Sequence, residues 1–264
     1  MTDKGIFDLS GKVALVTGGA RGLGREICEA MAEFGADVAC NYLTSQKEAE
    51  EFVEYAKKLG RRAIAVQADV SKADEVKRMV DQAVAELGGV DILFNNAAEA
   101  LGGPMPVHQL PLAAWDRTLA VDLTGPFLCM RYVIPHMLKK KRGSIINITS
   151  ISGLMAGQEE WSLPPVPAYG AVKAGLIGLT KHSASGLAKY GIRVNAIAPG
   201  AHLTNPKGFP PALLKKMEEK ISKFTPMGRP GEAREIKGLA VYLASEASSF
   251  VTGQTIVEDG GFSI

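Results

Sequence analysis

The chain of 264 residues is long enough for one large α/β domain or two smaller ones, and its composition is that of a globular protein. Its 30 basic and 28 acidic residues leave a net charge of +2, which predicts neither a nucleic-acid partner nor a membrane partner. Three separated cysteines, no histidine pair at ligand spacing and a polar amino terminus predict no disulfide framework, no metal site and a location in the cytoplasm.

Short apolar segments alternate with longer amphipathic segments along the chain. The apolar segments, which we interpret as strands, are residues 12–18, 36–42, 62–70, 90–98, 143–150, 192–200 and 253–261. Helical periodicity covers residues 23–35, 46–60, 71–89 (with Ser71 as its N-cap), 112–140, 168–189 and 234–245. Apolar strands that are each followed by a helix indicate a parallel sheet covered on both faces. We therefore predict one doubly wound α/β domain over residues 1–264, with about seven strands.

Two segments, residues 154–168 and 202–230, interrupt this alternation. Both follow the carboxyl end of a predicted strand, where doubly wound sheets bind ligands, so we predict that they are substrate-loop elements. The first contains several prolines and Trp161, which favours a wall of the substrate pocket or a contact with a partner subunit over an inert surface loop. The second contains an amphipathic stretch, residues 209–224, that fits either a surface helix or a mobile lid.

A glycine-rich segment, "TGGARGLG" (residues 17–24), joins the first predicted strand to the first helix. Its glycines let the turn close and let the backbone approach a phosphate beside the free N–H groups of the helix. The spacing is neither G-x-G-x-x-G nor that of a P-loop, and a tight turn without a ligand would also explain it. Its place after the first strand favours a dinucleotide site, whose contacts here we predict to be Gly18, Arg21, Gly22, Leu23 and Gly24.

The end of the second predicted strand bears on the choice of dinucleotide. Asn41 stands where a carboxylate would bind the ribose 2′-hydroxyl, and the absence of that carboxylate removes repulsion toward a 2′-phosphate. Arg21 in the glycine loop, with Tyr42, Thr44 and Ser45, could donate hydrogen bonds to such a phosphate. We therefore favour NADP(H) and keep NAD(H) possible, the alternative being that these residues belong to a solvated loop.

Tyr169 and Lys173 are four positions apart in "AYGAVKAGLIG" (residues 168–178) and therefore lie on one face of a helix. A phenol with a pKa near ~10 is a poor acid or base at neutral pH, and a nearby ammonium favours its ionised form. Such a tyrosine could exchange a proton with an alcohol or a carbonyl oxygen while hydride moves to or from a nicotinamide. The small residues around the pair are equally typical of a closely packed helix without chemistry.

Six segments, in this order, together resemble the short-chain dehydrogenase/reductase family over essentially the whole length. They are "TGGARGLG", "DV" at 69–70, "NNAA" at 95–98, "ITS" ending at Ser150, "YGAVK" at 169–173 and "PG" at 199–200 followed by Thr204. The resemblance implies a single Rossmann-type domain, reversible alcohol/carbonyl oxidoreduction with a nicotinamide cofactor, and a homotetramer or homodimer.

The resemblance also implies roles for individual residues. Tyr169 is expected to be the general acid/base, Lys173 to hold the nicotinamide ribose and make the phenol more acidic, and Ser150 to bind the substrate oxygen. Asn95 is expected to support the central strand and the cofactor. Further cofactor contacts are expected from Asp69, Val70, Asn96, Ala97, Ala98, Pro199, Gly200, His202 and Thr204. His202 replaces a residue that is usually aliphatic, and an ordinary packed histidine is the alternative for it.

The sequence departs from the family pattern at three places. Asp122 stands in "LAVDLTG" where the family usually has an asparagine that holds a water linked to the lysine, so we assign it to the catalytic group with an altered pH dependence. Ala98 replaces a common glycine. Ser150 and Tyr169 are 19 positions apart, more than is usual, which places the extra residues in the 154–168 segment. Ser150, Trp161, Met155 and Phe209 are the predicted substrate contacts.

These observations favour an NAD(P)(H)-dependent oxidoreductase that interconverts a secondary alcohol and a ketone, with NADP(H) preferred. The alternative is a non-catalytic dinucleotide-binding sensor on the same fold, for which Asp122 is the only support. Sugars or polyols, hydroxylated rings and β-ketoacyl compounds all remain open as the small-molecule substrate.

Overall fold

The computed structural model describes residues 5–99, 101, 103, 105–156, 166–203 and 211–264. The strands in this part of the chain are β1 (Val13–Val16), β2 (Asp37–Tyr42), β3 (Ala63–Gln67), β4 (Ile92–Asn95), β5 (Gly143–Ile148), β6 (Ile192–Pro199), β7 (His202–Leu203), β8 (Gly231–Glu232) and β9 (Thr255–Glu258). The α-helices are α1 (Gly22–Glu33), α2 (Gln46–Lys58), α3 (Ala73–Leu87), α4 (Leu112–Leu119), α5 (Gly125–Lys140), α6 (Pro167–Leu187), α7 (Pro211–Phe224) and α8 (Ile236–Ala244).

Seven parallel strands form the main sheet in the spatial order β3-β2-β1-β4-β5-β6-β9. The prediction of a doubly wound sheet of about seven strands is thereby confirmed. The strand order reverses between β1 and β4, and in open α/β sheets ligands bind outside the carboxyl ends of the strands at such a point. This crevice is where the glycine loop and the "NNAA" segment meet.

Apolar side chains alternate between the two faces of the sheet and build a core on each. Ala14 and Val16 of β1 face the core formed with α1, α2 and α8, whereas Val13 and Leu15 face the core formed with α3 and α5. All four are buried, because helices cover both faces of this strand. The apolar character of β1 therefore follows from its central position, as the sequence pattern indicates.

The helical region predicted over residues 112–140 contains a turn that the sequence did not reveal. α4 and α5 are joined by a π-helical turn, Ala120–Thr124, which places the buried Asp122 at its centre. Single π turns inside helices are frequent at functional sites. This π turn interrupts an otherwise regular helix and places the Asp122 carboxylate in the protein interior.

Two local predictions were wrong or incomplete. α3 begins at Ala73 after Lys72, and Ser71 is not its N-cap, because the Ser71 hydroxyl donates to Asp69 instead. The short parallel pairing of β7 with β8 was not predicted, since two-residue strands carry no periodic signal. In the described ranges, no helix is long and apolar enough to cross a membrane.

Candidate active site

The glycine loop adopts a conformation that needs glycine at its key positions. Gly18 and Gly22 have φ angles of +61° and +56°, which side-chain-bearing residues rarely adopt. A Cβ atom on Gly24 would collide with the carbonyl oxygen of Gly18 and lie 2.5 Å from the Asn96 amide nitrogen. α1 begins at Gly22, so its free N–H groups face the loop. This cradle fits the phosphates of a dinucleotide.

The role of Asn41 differs from the expected one. Its side chain is buried, accepts a hydrogen bond from the Gly18 N–H (3.1 Å) and donates to the carbonyls of Val66 and Ala68 (3.2 and 3.1 Å). Every polar atom of this amide is thus used inside the protein, which corrects its assignment as a cofactor contact. Asn41 instead fixes the glycine loop against the end of the sheet.

Asn96 also holds the glycine loop rather than facing the crevice. Its side-chain nitrogen donates to the carbonyls of Thr17 and Gly18 (2.9 and 3.1 Å), while the Thr17 hydroxyl accepts the N–H groups of Asn96 and Ala97. The assignment of the Asn96 side chain as a cofactor contact is corrected accordingly. The backbone of Ala97 approaches closely, because a Cβ atom on Gly18 would lie 3.0 Å from its Cα.

The residues expected to choose between NADP(H) and NAD(H) fall into two groups. Tyr42 is buried and packs in the core, so its expected contact with a phosphate is corrected. Arg21 and Thr44 are exposed and Ser45 is half-buried at the start of α2. Within the described part of the chain, the Arg21 side chain makes no ion pair or hydrogen bond, which leaves its guanidinium available to an anion.

Asp69 follows β3 at the same edge of the sheet. Its carboxylate accepts from the Ser71 hydroxyl (2.6 Å) and from Arg117 (3.1 Å). Burial raises the pKa of Asp69, but the hydrogen bonds from Ser71 and Arg117 outweigh burial and hold that pKa below its ordinary value. Val70 beside it is buried against Gly125 at the start of α5. Leu23 is half-buried against the core and Ala98 is exposed, and their assignments as cofactor contacts stay predictions.

Tyr169 and Lys173 lie on α6, as the sequence predicts, and their side chains meet. The Lys173 ammonium lies 5.1 Å from the centre of the Tyr169 ring. Tyr169 is half-buried, whereas Lys173 is only 2% exposed and donates to the Ile148 carbonyl at the end of β5 (3.1 Å). The pair therefore consists of a buried cation beneath an accessible phenol.

Ser150 is brought to the same place by close packing of its turn on α6. A Cβ atom on Gly153 would lie 2.7 Å from the Lys173 carbonyl carbon, and one on Gly170 would lie 3.2 Å from the Ser152 carbonyl oxygen. The Ser150 hydroxyl oxygen accepts the Ser152 N–H (3.1 Å), which leaves its own proton free to donate. The close packing itself carries no signal in the sequence, because Gly153 and Gly170 meet their partners only when the turn after β5 folds onto α6.

Asp122 pairs with Lys173 in the interior. Its Oδ2 atom lies 3.2 Å from the ammonium nitrogen, and both side chains are almost completely buried. Its Oδ1 atom accepts the N–H of Glu99 (2.7 Å). A buried ammonium is costly unless it is paired, so this carboxylate and the Ile148 carbonyl together account for the position of Lys173.

A chain of buried amides lies beside this pair. The Asn95 side chain donates to Asn147 (2.8 Å), and Asn147 donates to the Thr180 hydroxyl on α6 (2.9 Å). The chain ties β4 and β5 to the helix that carries Tyr169. Among the described residues, the Asn95 oxygen has no hydrogen-bond partner.

His202 does not face the crevice. Its ring is 4% exposed, its Nδ1 atom donates to the Gly200 carbonyl (3.2 Å), and its Nε2 atom lies 3.8 Å from a Glu258 oxygen. The assignment of His202 as a cofactor contact is corrected, since these contacts join β7 to β9. Burial lowers the pKa of His202, but Glu258 and the Gly200 carbonyl outweigh burial and raise it above the ordinary value.

Pro199 and Gly200 end β6 at the expected edge of the sheet. Gly200 is packed so closely on the C-terminal segment that a Cβ atom there would lie 2.6 Å from the Asp259 Cβ. Met155 is half-buried just after the Ser150 turn. Thr204, Trp161 and Phe209 lie outside the described residues, so their assignments stay predictions.

Comparison with known proteins agrees with this geometry. A family model described as enoyl-(acyl carrier protein) reductase matches residues 18–263. The chain belongs to the short-chain dehydrogenase/reductase family and is an NAD(P)-dependent oxidoreductase.

Particular relatives are known for different substrates. The 3-oxoacyl-[acyl-carrier-protein] reductase FabG of Staphylococcus epidermidis is 41% identical over 253 residues, which cover 95% of this chain and 98% of that protein. A gluconate 5-dehydrogenase of Burkholderia cenocepacia, solved with NADP and tartrate, is 33% identical with a TM-score of 0.87 and coverage of 98% and 97%. A 7α-hydroxysteroid dehydrogenase, solved with NADH and 7-oxo glycochenodeoxycholic acid, is 32% identical with a TM-score of 0.87 and coverage of 99% and 98%.

Substitution of Gly24 tests the glycine cradle. We expect Gly24→Ala to weaken NADPH binding by about tenfold or more, because its Cβ atom must displace the Gly18 carbonyl and reshape the phosphate cradle. Gly186→Ala on α6 is the matched control, since a Cβ atom there meets open space. Isothermal titration would measure both dissociation constants, and equal affinity in the two variants would contradict the assignment.

Replacement of His202 tests the link between β7 and β9. Its raised pKa means that the protonated form stabilises the fold at low pH, and that this contribution is lost as the pH rises through the folded-state pKa. We therefore expect His202→Gln to reduce the free energy of unfolding more at about pH 5.5 than at about pH 8.5, either side of the ordinary histidine pKa. Urea unfolding at both pH values would measure this, with the exposed His108→Gln as control. A loss that is independent of pH would refute it.

Proposed function

We propose that the protein interconverts a ketone and a secondary alcohol, with Tyr169 as the general acid/base, Ser150 as the group that binds the substrate oxygen, and Lys173 as the cation that promotes ionisation of the phenol. One observation carries the proposal: the buried Lys173 ammonium lies beneath the half-exposed Tyr169 ring, beside the turn that begins at Ser150. This arrangement offers a proton donor and a hydrogen-bond donor to one oxygen atom.

The chain's own groups account for the proton transfer. In reduction, the Tyr169 hydroxyl gives its proton to the substrate carbonyl oxygen, and the Lys173 ammonium stabilises the phenolate that remains. In oxidation, the same oxygen takes the proton from the alcohol. Ser150 donates its hydroxyl proton to the substrate oxygen in both directions, since its lone pair already accepts the Ser152 N–H.

A bound nicotinamide dinucleotide would supply the hydride for reduction or accept it in oxidation. The groups that would hold it are the glycine loop from Gly18 to Gly24, Asp69 and Val70 after β3, Ala97 and Ala98 after β4, and Pro199 and Gly200 after β6. We propose a preference for NADP(H), because the guanidinium of Arg21 in the glycine loop is free and no carboxylate side chain lies between the end of β2 and the start of α2. The related structures contain NADP in one case and NADH in another.

A 3-oxoacyl thioester is the substrate class that we propose first. It is supported by the curated relative from Staphylococcus epidermidis, which is 41% identical over nearly its whole length and carries that activity in its name. Hydroxy acids and steroids are the alternatives suggested by the names of the solved relatives. The residues expected to separate these classes, Met155, Trp161 and Phe209, belong to the two substrate-loop elements.

Assembly into a homotetramer or homodimer also stays a proposal. It is supported by the small exposed residues Ala171, Ala174 and Gly175 on α6, and by Phe127 on α5, which is 46% exposed. Small exposed residues on one helix and an exposed aromatic side chain on another suit close packing against a second subunit. The extent of the domain, residues 1–264, and its place in the cytoplasm stay predictions from the sequence.

No structural observation favours the non-catalytic alternative. Asp122 was its only support, and the carboxylate is engaged with Lys173 and Glu99 in a way that maintains the Tyr169–Lys173 pair. A sensor would have no need for an accessible phenol above a buried ammonium.

Removal of the Tyr169 hydroxyl tests the proposed chemistry. We expect Tyr169→Phe to lower kcat by about a hundredfold or more, the usual contribution of a general acid, with NADPH affinity little changed. Oxidation of NADPH at 340 nm with 3-oxoacyl thioesters, keto sugars and keto steroids would measure it and rank the substrates. Tyr190→Phe is the control, since Lys189 lies 5.1 Å from that ring at an exposed position. Undiminished turnover in Tyr169→Phe would end the proposal.

Neutralisation of Asp122 tests the charge balance around Lys173. Without the carboxylate at 3.2 Å, the ammonium loses its counter-charge and acts more strongly on the phenol. In the reduction direction, where Tyr169 must carry its proton, we therefore expect the basic limb of the pH–rate profile to move to lower pH in Asp122→Asn. Asp116→Asn, at an exposed position on α4, should leave the profile unchanged. Superimposable profiles for wild type and Asp122→Asn would show that the Asp122 charge does not influence the pH dependence of the rate.

A further inference from the structure

A cluster of charged side chains around Arg117 links the loop that follows β3 to the segment that follows β4. Arg117 on α4 donates from Nε to a Glu99 oxygen (2.7 Å) and from Nη1 to Asp69 (3.1 Å) and to the Ser71 hydroxyl (2.8 Å). Its side chain is 29% exposed, and those of Asp69 and Glu99 are 12% and 38% exposed. One guanidinium thus spans two carboxylates from separate loops, which is a geometry that guanidinium supports and ammonium does not.

Glu99 is held by three groups of one continuous helical segment. Its carboxylate binds Arg117, its carbonyl accepts from the Thr118 hydroxyl (3.4 Å), and its N–H donates to Asp122 (2.7 Å). Asp122 in turn lies against Lys173. The α4 helix and its π turn therefore fix this residue relative to the catalytic lysine.

The segment from Asn96 to Glu99 is clamped at both ends. At one end Asn96 donates to the carbonyls of Thr17 and Gly18 in the glycine loop, and at the other Glu99 is bound as described. Between them, Ala97 lies against Gly18 at the crevice. A shift of the Glu99 end would move this backbone along the crevice.

We propose that Arg117 and Glu99 are positioning residues for the cofactor: together they hold the Asn96–Glu99 segment and the Asp69 loop at a fixed separation, so that the crevice is preformed for the dinucleotide. Neither side chain is assigned a contact with the reacting atoms. The inference rests on the proposed function for the identity of the ligand, and it adds a determinant that the family motifs in the sequence do not contain. Preformed sites bind more tightly because less ordering is needed on binding.

The test is NADPH affinity, measured by isothermal titration without any substrate. We expect Glu99→Gln and Arg117→Met each to raise the dissociation constant by about three- to tenfold, the usual size of such indirect effects. The double variant should bind NADPH no more weakly than Arg117→Met alone, because the Arg117–Glu99 ion pair that Glu99→Gln removes is already lost in Arg117→Met. Arg117→Lys should restore only part of the affinity. At saturating NADPH, kcat should stay within about twofold of wild type, since the groups assigned to chemistry are unchanged.

Arg62→Met provides the matched control for a lost ion pair. Arg62 binds both oxygens of Asp37 at the opposite edge of the sheet (2.8 Å from Nε and 2.8 Å from the backbone nitrogen). The Arg62→Met substitution should lower the melting temperature and leave the dissociation constant for NADPH unchanged. The inference is overturned if Glu99→Gln and Arg117→Met likewise lower the melting temperature without changing the dissociation constant for NADPH. It is also overturned if their effects on NADPH affinity are additive.

The isosteric Glu99→Gln keeps the experiment decisive if Arg117→Met does not fold. The outcome is also independent of the proposed chemistry. Full turnover in Tyr169→Phe would remove the catalytic assignment without changing the binding comparison. Unchanged NADPH affinity in the Glu99 and Arg117 variants would remove only this inference.

Discussion

The buried ion pair of Lys173 and Asp122 is the interaction on which the site depends. A lysine that is 2% exposed would be strongly destabilising without compensation, and two groups provide it: the Asp122 carboxylate at 3.2 Å and the Ile148 carbonyl at 3.1 Å. The first comes from a π turn between α4 and α5, and the second comes from the end of β5. The cation beneath Tyr169 is therefore held by the sheet and by a neighbouring helix, both of which are rigid parts of the fold.

Buried amides give the crevice its second support. Asn41 and Asn96 use their side chains to satisfy backbone groups of the glycine loop, a loop that has no regular partners of its own. Because unsatisfied buried N–H and carbonyl groups are costly, these bonds hold the loop in one conformation before any ligand binds. Asp122 has the same kind of effect on Lys173. In both cases a buried polar side chain fixes the position of a group that faces the ligand.

How far the sequence predicted the site depended on the range of the interactions involved. The glycine conformations and the Tyr169–Lys173 pair are local features, and their periodicity or spacing indicated them correctly. Asn41 stands at the end of the second strand, Asn96 belongs to the "NNAA" motif and His202 follows "PG", and these positions led to the expectation that they contact the cofactor. Their side chains point into the protein, which depends on the strand face and on loop direction rather than on distance along the chain. The Arg117–Glu99 pair carries no motif and was missed, since its partners come from different loops.

The amino-acid sequence by itself determined the alternation of strands and helices, the covered parallel sheet, the glycine-rich turn after β1 and the helical face shared by Tyr169 and Lys173, because each follows from patterns within short segments. Only the tertiary structure decided which polar groups face the crevice and which support it. That choice depends on where strands β1, β4 and β5 place loops that are distant in the sequence, and on which partners the charges and amides buried among them can reach.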